Sequence, residues 1–137
     1  PDFGIGATRM TTTLVDSCGW IDYLIEGEHV AVFAPLIERI GEVVVPTVVQ
    51  YEVYKWVCRE ADEELALTVV ARMEAGLVRS LDTRTALLAA ELSARHKLAM
   101  ADALVYAHGR LEGATVVTAD AHFAGLPGVE YHPRSRL

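Results

Sequence analysis

No run of apolar residues approaches the 18 or more that a membrane-crossing helix requires, although hydrophobic residues make up 52% of the chain. A helical membrane span is thereby excluded. Cysteine is scarce: Cys18 and Cys58 stand alone, with no Cys-x-x-Cys pair between or around them. That argues against a disulfide scaffold or thiolate zinc site and for a reducing, cytoplasmic setting. The five histidines (His29, His96, His108, His122, His132) form no His-x-x-x-His or His-Glu-x-x-His pair, so nothing points to a histidine-held zinc ion. Any metal should be held by oxygens, which selects a hard cation. Positive charge is also in short supply, with 12 Lys and Arg against 19 Asp and Glu and a net charge of −7. This is the reverse of the basic footprint of most nucleic-acid binders. Four acids committed to a metal site would account for four of those seven charges. Two divalent ions there would supply the sign that a phosphodiester seeks.

What is present fits one domain of 137 residues, long enough to bury a core without staples. Repeats, low-complexity tracts and linker-like stretches are missing. The high apolar fraction suits helices covering a sheet, with an apolar patch left for a partner. Residues 1–9, PDFGIGATR, lack a continuous apolar segment and fit no secretory signal. Met10 is taken as the native start, and the nine residues before it as a vector-derived or loose extension. From there short β-rich runs alternate with helical ones. Strands are expected in 11–17, 42–46, 77–82, 114–120 and 129–132. Helices are expected in 18–27, 28–40, 47–60, 62–75, 83–97 and 101–113, with a short helical turn at 121–125. Thr47 and Gln50 carry a capping-box signature for the third helix. This alternation predicts a three-layer α/β domain whose central parallel sheet of four to five short strands is flanked by helices. Ligands bind such sheets outside the carboxyl ends of the strands, so acids at strand ends draw attention first.

Asp16 closes the first strand, and either caps the next helix together with Ser17 or faces the crevice. Asp120 closes the strand ATVV with the same two readings. Glu52 has Val48, Val49, Val53 and Trp56 at i−4, i−3, i+1 and i+4, which sets it on or beside an apolar stripe. A half-buried carboxylate costs several kcal/mol unless compensated, so either a Lys or Arg partner or a metal is expected. Asp102 has no charged neighbour from Leu98 to Ala107, and capping of its helix stays open for it. Each acid alone has an ordinary explanation. Together they sit on elements that can all meet at one crevice, where carboxylates repel unless a cation or proton lies between them.

The segments VDSCGW, QYEVYKW, MADALVYAHG and VVTADAHF, in this order and spacing, resemble the PIN-domain nucleases, with the VapC-like toxins of bacterial toxin–antitoxin pairs the nearest match. The resemblance covers the chain from Met10 onward. It implies an Mg²⁺- or Mn²⁺-dependent endoribonuclease with a PIN-like fold and with Asp16, Glu52, Asp102 and Asp120 as catalytic and metal-holding acids. Asp16 and Asp102 are expected to hold the better-occupied ion. Thr118 matches a hydroxyl frequent near that site, and Cys18 departs from the Ser, Thr or Asn of many members. The resemblance further implies an RNA substrate, a homodimer, and a small VapB-like antitoxin whose C-terminal segment blocks the crevice. A PIN-like RNA-processing nuclease without a toxin role is the alternative.

Lys55 and Arg59, at i+3 and i+7 from Glu52, either grip RNA phosphates or form a solvated helix face. Trp20, Tyr23, Tyr51, Tyr54 and Trp56 are mostly core or dimer contacts by their spacing, with base stacking the other role. His122 is assigned a structural place at its turn. Among other classes, a phospho-acceptor receiver domain needs a paired acid after the first strand and a late Lys, and no Lys follows Lys97. A haloacid-dehalogenase-type phosphatase needs Asp-x-Asp, and residue 18 is Cys. A non-enzymatic protein-binding module has no use for four such acids.

Overall fold

The computed structural model describes residues 12–135. The expectation for residues 1–9 lies outside them. Five short strands, β1 (Thr13–Val15), β2 (Val43–Pro46), β3 (Leu77–Arg79), β4 (Thr115–Thr118) and β5 (Val129–Tyr131), alternate with six helices. These are α1 (Ser17–Ile25), α2 (Val30–Glu38), α3 (Thr47–Glu60), α4 (Glu63–Met73), α5 (Thr83–His96) and α6 (Met100–Glu112). Single 3₁₀ turns follow α2 and β4, at Ile40–Glu42 and Ala121–Phe123.

All four strand pairings are parallel, in the order β3-β2-β1-β4-β5. The expected three-layer α/β architecture is therefore present, with five strands. Leu14, Val15, Val43, Val44, Val45, Val116 and Val117 are all buried. Strands this uniformly apolar are covered on both faces. The chain leaves β1 toward β2 and leaves β4 toward β5, in opposite directions from two adjacent strands. This is a topological switch point, where the loops diverge and leave a crevice at the carboxyl edge.

Boundaries differ from the sequence expectation for local reasons. Helix α1, expected over 18–27, ends at Ile25, where Glu26 takes the left-handed conformation. Gly27 is needed for closeness, because a Cβ there would lie 2.5 Å from Asp22 Oδ1. The capping box does not form: α3 is capped by Pro46 without a side-chain bond, and Gln50 Nε2 donates to Glu74 Oε2 at 2.7 Å. Strand β3 stops at Arg79 because Asp82, expected within the strand, caps α5 by accepting from Thr85 N. The run 28–40 is interrupted after Glu38, with Pro35 already inside α2, where it deletes one intrahelical bond.

Candidate metal centre

The crevice is built first from the two central strands. Asp16 follows β1 and caps α1, its Oδ1 accepting from Ser17 N at 2.7 Å. Its Oδ2 accepts from Thr118 Oγ1 at 3.0 Å. That same threonine oxygen accepts from Asp120 N at 2.9 Å, so one hydroxyl ties the ends of β1 and β4 together. The Cys18 thiol completes this knot, accepting from Ala119 N at 3.4 Å and lying 3.4 Å from Thr118 Oγ1. Burial, then the charge of Asp16, pushes the Cys18 thiol up to about 11, so it is protonated and unreactive as a nucleophile. Asp16 is 4% exposed. Burial raises its carboxyl to about 6, with the charges of Glu52 and Asp102 acting in the same direction and the Ser17 and Thr118 hydrogen bonds opposing.

Two helices and a turn bring the other acids. Glu52, on α3 beside the buried stripe of Val49, Val53 and Val57, has its carboxyl raised by burial and by Asp102 and Asp120, with the Ser17 side chain pulling the other way. Asp102 lies in the first turn of α6, but Ala99 holds the cap position, so capping does not account for it. Its carboxyl is raised by burial and by Asp120, and His122 opposes. Asp120 opens the 3₁₀ turn, accepting from His122 N at 2.9 Å. The His122 ring then sits between two acids, Nδ1 being 3.2 Å from Asp120 Oδ1 and 3.4 Å from Asp102 Oδ2. Among the described residues, none of the four acids pairs with a Lys or Arg within 4.0 Å. The Lys or Arg partner entertained for Glu52 is therefore not found there.

A PIN-domain family model matches residues 13–129. The chain belongs to the PIN-domain family. No curated protein sequence matches it, but solved structures share its fold. A toxin–antitoxin complex from Klebsiella pneumoniae superposes with a TM-score of 0.74 at 22% identity, covering 90% of this chain and 100% of that one. DNA-bound VapBC from Salmonella typhimurium gives 0.69 at 20%, with 90% and 98% covered. VapC20 of Mycobacterium tuberculosis, a sarcin–ricin-loop-cleaving toxin, gives 0.63 at 19%, with 76% and 85% covered.

In this PIN domain the structure gathers Asp16, Glu52, Asp102, Asp120, Ser17 and Thr118 around one crevice. Lys55 and Arg59 are not among the acids; they stand on exposed positions of α3 and line a neighbouring cavity with Glu52 and Ser17. Sequence reasoning gave His122 a place at the turn, which its backbone takes, but missed its ring in the acid cluster. The available signal was Asp-x-His directly after a strand. The donor set suits a hard divalent ion: carboxylate oxygens from separate elements, those of Asp16, Glu52 and Asp102 each raised by burial and by the negative charge of neighbouring acids. Among the described residues, Asp102, Asp120 and His122 are the one group of three whose ligand atoms all lie within 4.8 Å of one another; Asp16 and Glu52 face the same crevice from outside that group.

Proposed function

We propose that the protein is an Mg²⁺- or Mn²⁺-dependent endoribonuclease that hydrolyses RNA phosphodiester bonds and serves as the toxin of a type II toxin–antitoxin pair. The observation that carries the reading is the convergence of four carboxylates at the switch point of the sheet, with no Lys or Arg neutralising them among the described residues. Asp16, Glu52, Asp102 and Asp120 would hold the metal, with His122 at its outer edge. When bound, the metal polarises the phosphate and lowers the pKa of water. The protein's own part is to fix the ligands. Ser17 N and Thr118 Oγ1 each hold one Asp16 oxygen, and Thr118 sets the backbone that aims Asp120. The side chains of Asp102 and Asp120 stay 20% and 31% exposed, which leaves that edge of the crevice within reach of a strand of RNA. The toxin role draws support from the solved structures, one a toxin–antitoxin complex, one a DNA-bound VapBC and one a sarcin–ricin-loop-cleaving toxin. That role brings a cytoplasmic setting, a homodimer and a VapB-like antitoxin with it.

The test is cleavage of a mixed RNA pool with Mg²⁺ or Mn²⁺. The wild type should cut and chelator should stop it. Asp16→Asn and Asp102→Asn should each lose at least about a hundredfold, the several kcal/mol that metal assistance supplies. Equal rates for wild type and both variants would end the nuclease reading. Induction in a bacterial host separates toxin from RNA-processing enzyme: growth arrest that requires Asp102 and is relieved by the cognate antitoxin marks the toxin.

A further inference from the structure

We infer that His122 is a nitrogen ligand of the metal held by Asp102 and Asp120, and that this mixed oxygen–nitrogen set selects Mn²⁺ over Mg²⁺. The inference rests on the metal-dependent reading of the crevice and adds the choice of ion, through a residue outside the four acids. The ring's Nδ1 stands 3.2 Å from Asp120 Oδ1 and 3.4 Å from Asp102 Oδ2. Both distances exceed the roughly 2.7–2.9 Å of a charge-assisted N–H···O bond. They match adjacent ligands of one divalent ion, which stand roughly 3.0–3.5 Å apart when each is about 2.1 Å from it. A single N–H points well at only one oxygen, whereas a shared cation needs all three atoms facing one point. The three atoms lie within 4.8 Å of one another.

The turn after β4 makes this arrangement a local product of the sequence. Asp120 and His122 are two residues apart on it, and the His122 backbone N–H donates to Asp120 Oδ1 at 2.9 Å. That bond fixes both the carboxylate and the root of the histidine side chain, so Asp-x-His is a preformed pair, and the first turn of α6 adds Asp102. Packing does not hold the ring, whose side chain is 75% exposed. Only the two acids orient it. Mg²⁺ takes oxygen ligands and gives up its waters reluctantly. Imidazole suits first-row transition ions, whose affinity for such sites rises from Mn²⁺ through Co²⁺. Carboxylates alone would serve Mg²⁺; one nitrogen among them favours Mn²⁺, and Co²⁺ more so. A histidine serving only as a counter-ion would have the opposite effect. Its removal would take a cation away from the acids and tighten Mg²⁺ and Mn²⁺ alike.

Pulsed electron paramagnetic resonance of the full-length protein loaded with Mn²⁺ reads the ligand directly, because a bound imidazole nitrogen gives ¹⁴N couplings that a carboxylate cannot. The wild type should show them and His122→Ala should not; the exposed ring can be removed without opening the core. In calorimetric titrations with each ion alone, His122→Ala should weaken Mn²⁺ binding about tenfold or more. Mg²⁺ binding should change less than about threefold. His122→Gln, which offers an amide oxygen in place of the nitrogen, should likewise lose the couplings and most of the preference for Mn²⁺. Couplings absent from the wild type, couplings that persist in His122→Ala, or an equal change for both ions in that variant overturns the inference. If Mn²⁺ binds, needs Asp102 and shows no nitrogen coupling, the histidine ligand falls and the metal centre stands. If the couplings appear and depend on His122 but no RNA is cut with either metal, the nuclease reading falls and the ligand stands. If the wild type binds no Mn²⁺, the metal centre and the ligand fall together.

Discussion

Asp16 fills both roles between which its position in the sequence leaves a choice. A carboxylate has two oxygens: one caps α1 through Ser17 N and the other accepts from Thr118 inside the crevice. Burial makes that arrangement unstable for the charged form. The Asp16 carboxyl is raised from 3.8 to about 6, so in metal-free protein the folded state holds a proton that the unfolded chain has released. This contribution to stability is full below 3.8 and is lost as pH rises through about 6. Asp16→Asn should remove the loss. At neutral pH with chelator present the variant should be more stable by on the order of 2 kcal/mol, while its RNA cleavage disappears. Urea unfolding of both proteins across that pH range checks the sign; a variant no more stable than wild type at neutral pH contradicts it. Thr118→Val should act in the opposite sense, stranding Asp16 Oδ2 and Asp120 N at a cost of about 1–3 kcal/mol, with Thr118→Ser restoring the melt. Asp16 and Asp120 were legible because they end strands, and Glu52 because it breaks an apolar stripe. The ring of His122 and the thiol of Cys18 were not, since their contacts depend on how β1 and β4 lie side by side, a hundred residues apart in the case of Cys18 and Thr118.

The helices and strands were legible where periodicity is strong, which is why every expected element exists. Their ends were less so, because an end is decided by competition among polar groups. Gln50 chose Glu74 over the α3 cap, and Asp82 chose the α5 N-terminus over the strand. Helix α1 shows how closely an element must sit to deliver a site residue. A Cβ on Gly19 would lie 2.5 Å from Val15 Cγ1 and 2.6 Å from the Phe33 ring, both fully buried. Helix propensity alone favours alanine over glycine by about 1 kcal/mol, yet neither neighbour has room to withdraw in a packed core. Overpacking of this kind costs about 1–3 kcal/mol, so Gly19→Ala should be net destabilising in thermal melts. It should also lower cleavage beyond what stability explains, because moving α1 off β1 shifts Ser17 N and with it Asp16. A more stable, fully active Gly19→Ala would show that α1 has slack.

At the scale of the molecule, alternation of strands and helices announced a parallel sheet, but not the order β3-β2-β1-β4-β5 that makes β1 and β4 neighbours. That adjacency is a product of long-range packing, and it turns acids distant in sequence into one negatively charged crevice. The net charge of −7 then has a local centre, and the whole fold should respond to a divalent ion. Binding to the native state alone stabilises by about 2.7 kcal/mol at a concentration a hundredfold above Kd, so Mn²⁺ or Mg²⁺ should raise the melting temperature by several degrees. Protons compete for the same oxygens. The metal-induced rise should therefore be small near pH 5 and grow as Asp16 ionises through about 6, opposite in sign to the pH trend of the metal-free protein. Monovalent salt at matched ionic strength only screens the repulsion among the acids. It should give a smaller shift, one that Asp102→Asn retains in part, whereas the divalent shift should vanish in that variant. A melt in which NaCl and MgCl₂ of equal ionic strength act alike would mean that the crevice repels without binding, and that its acids serve some end other than holding a metal.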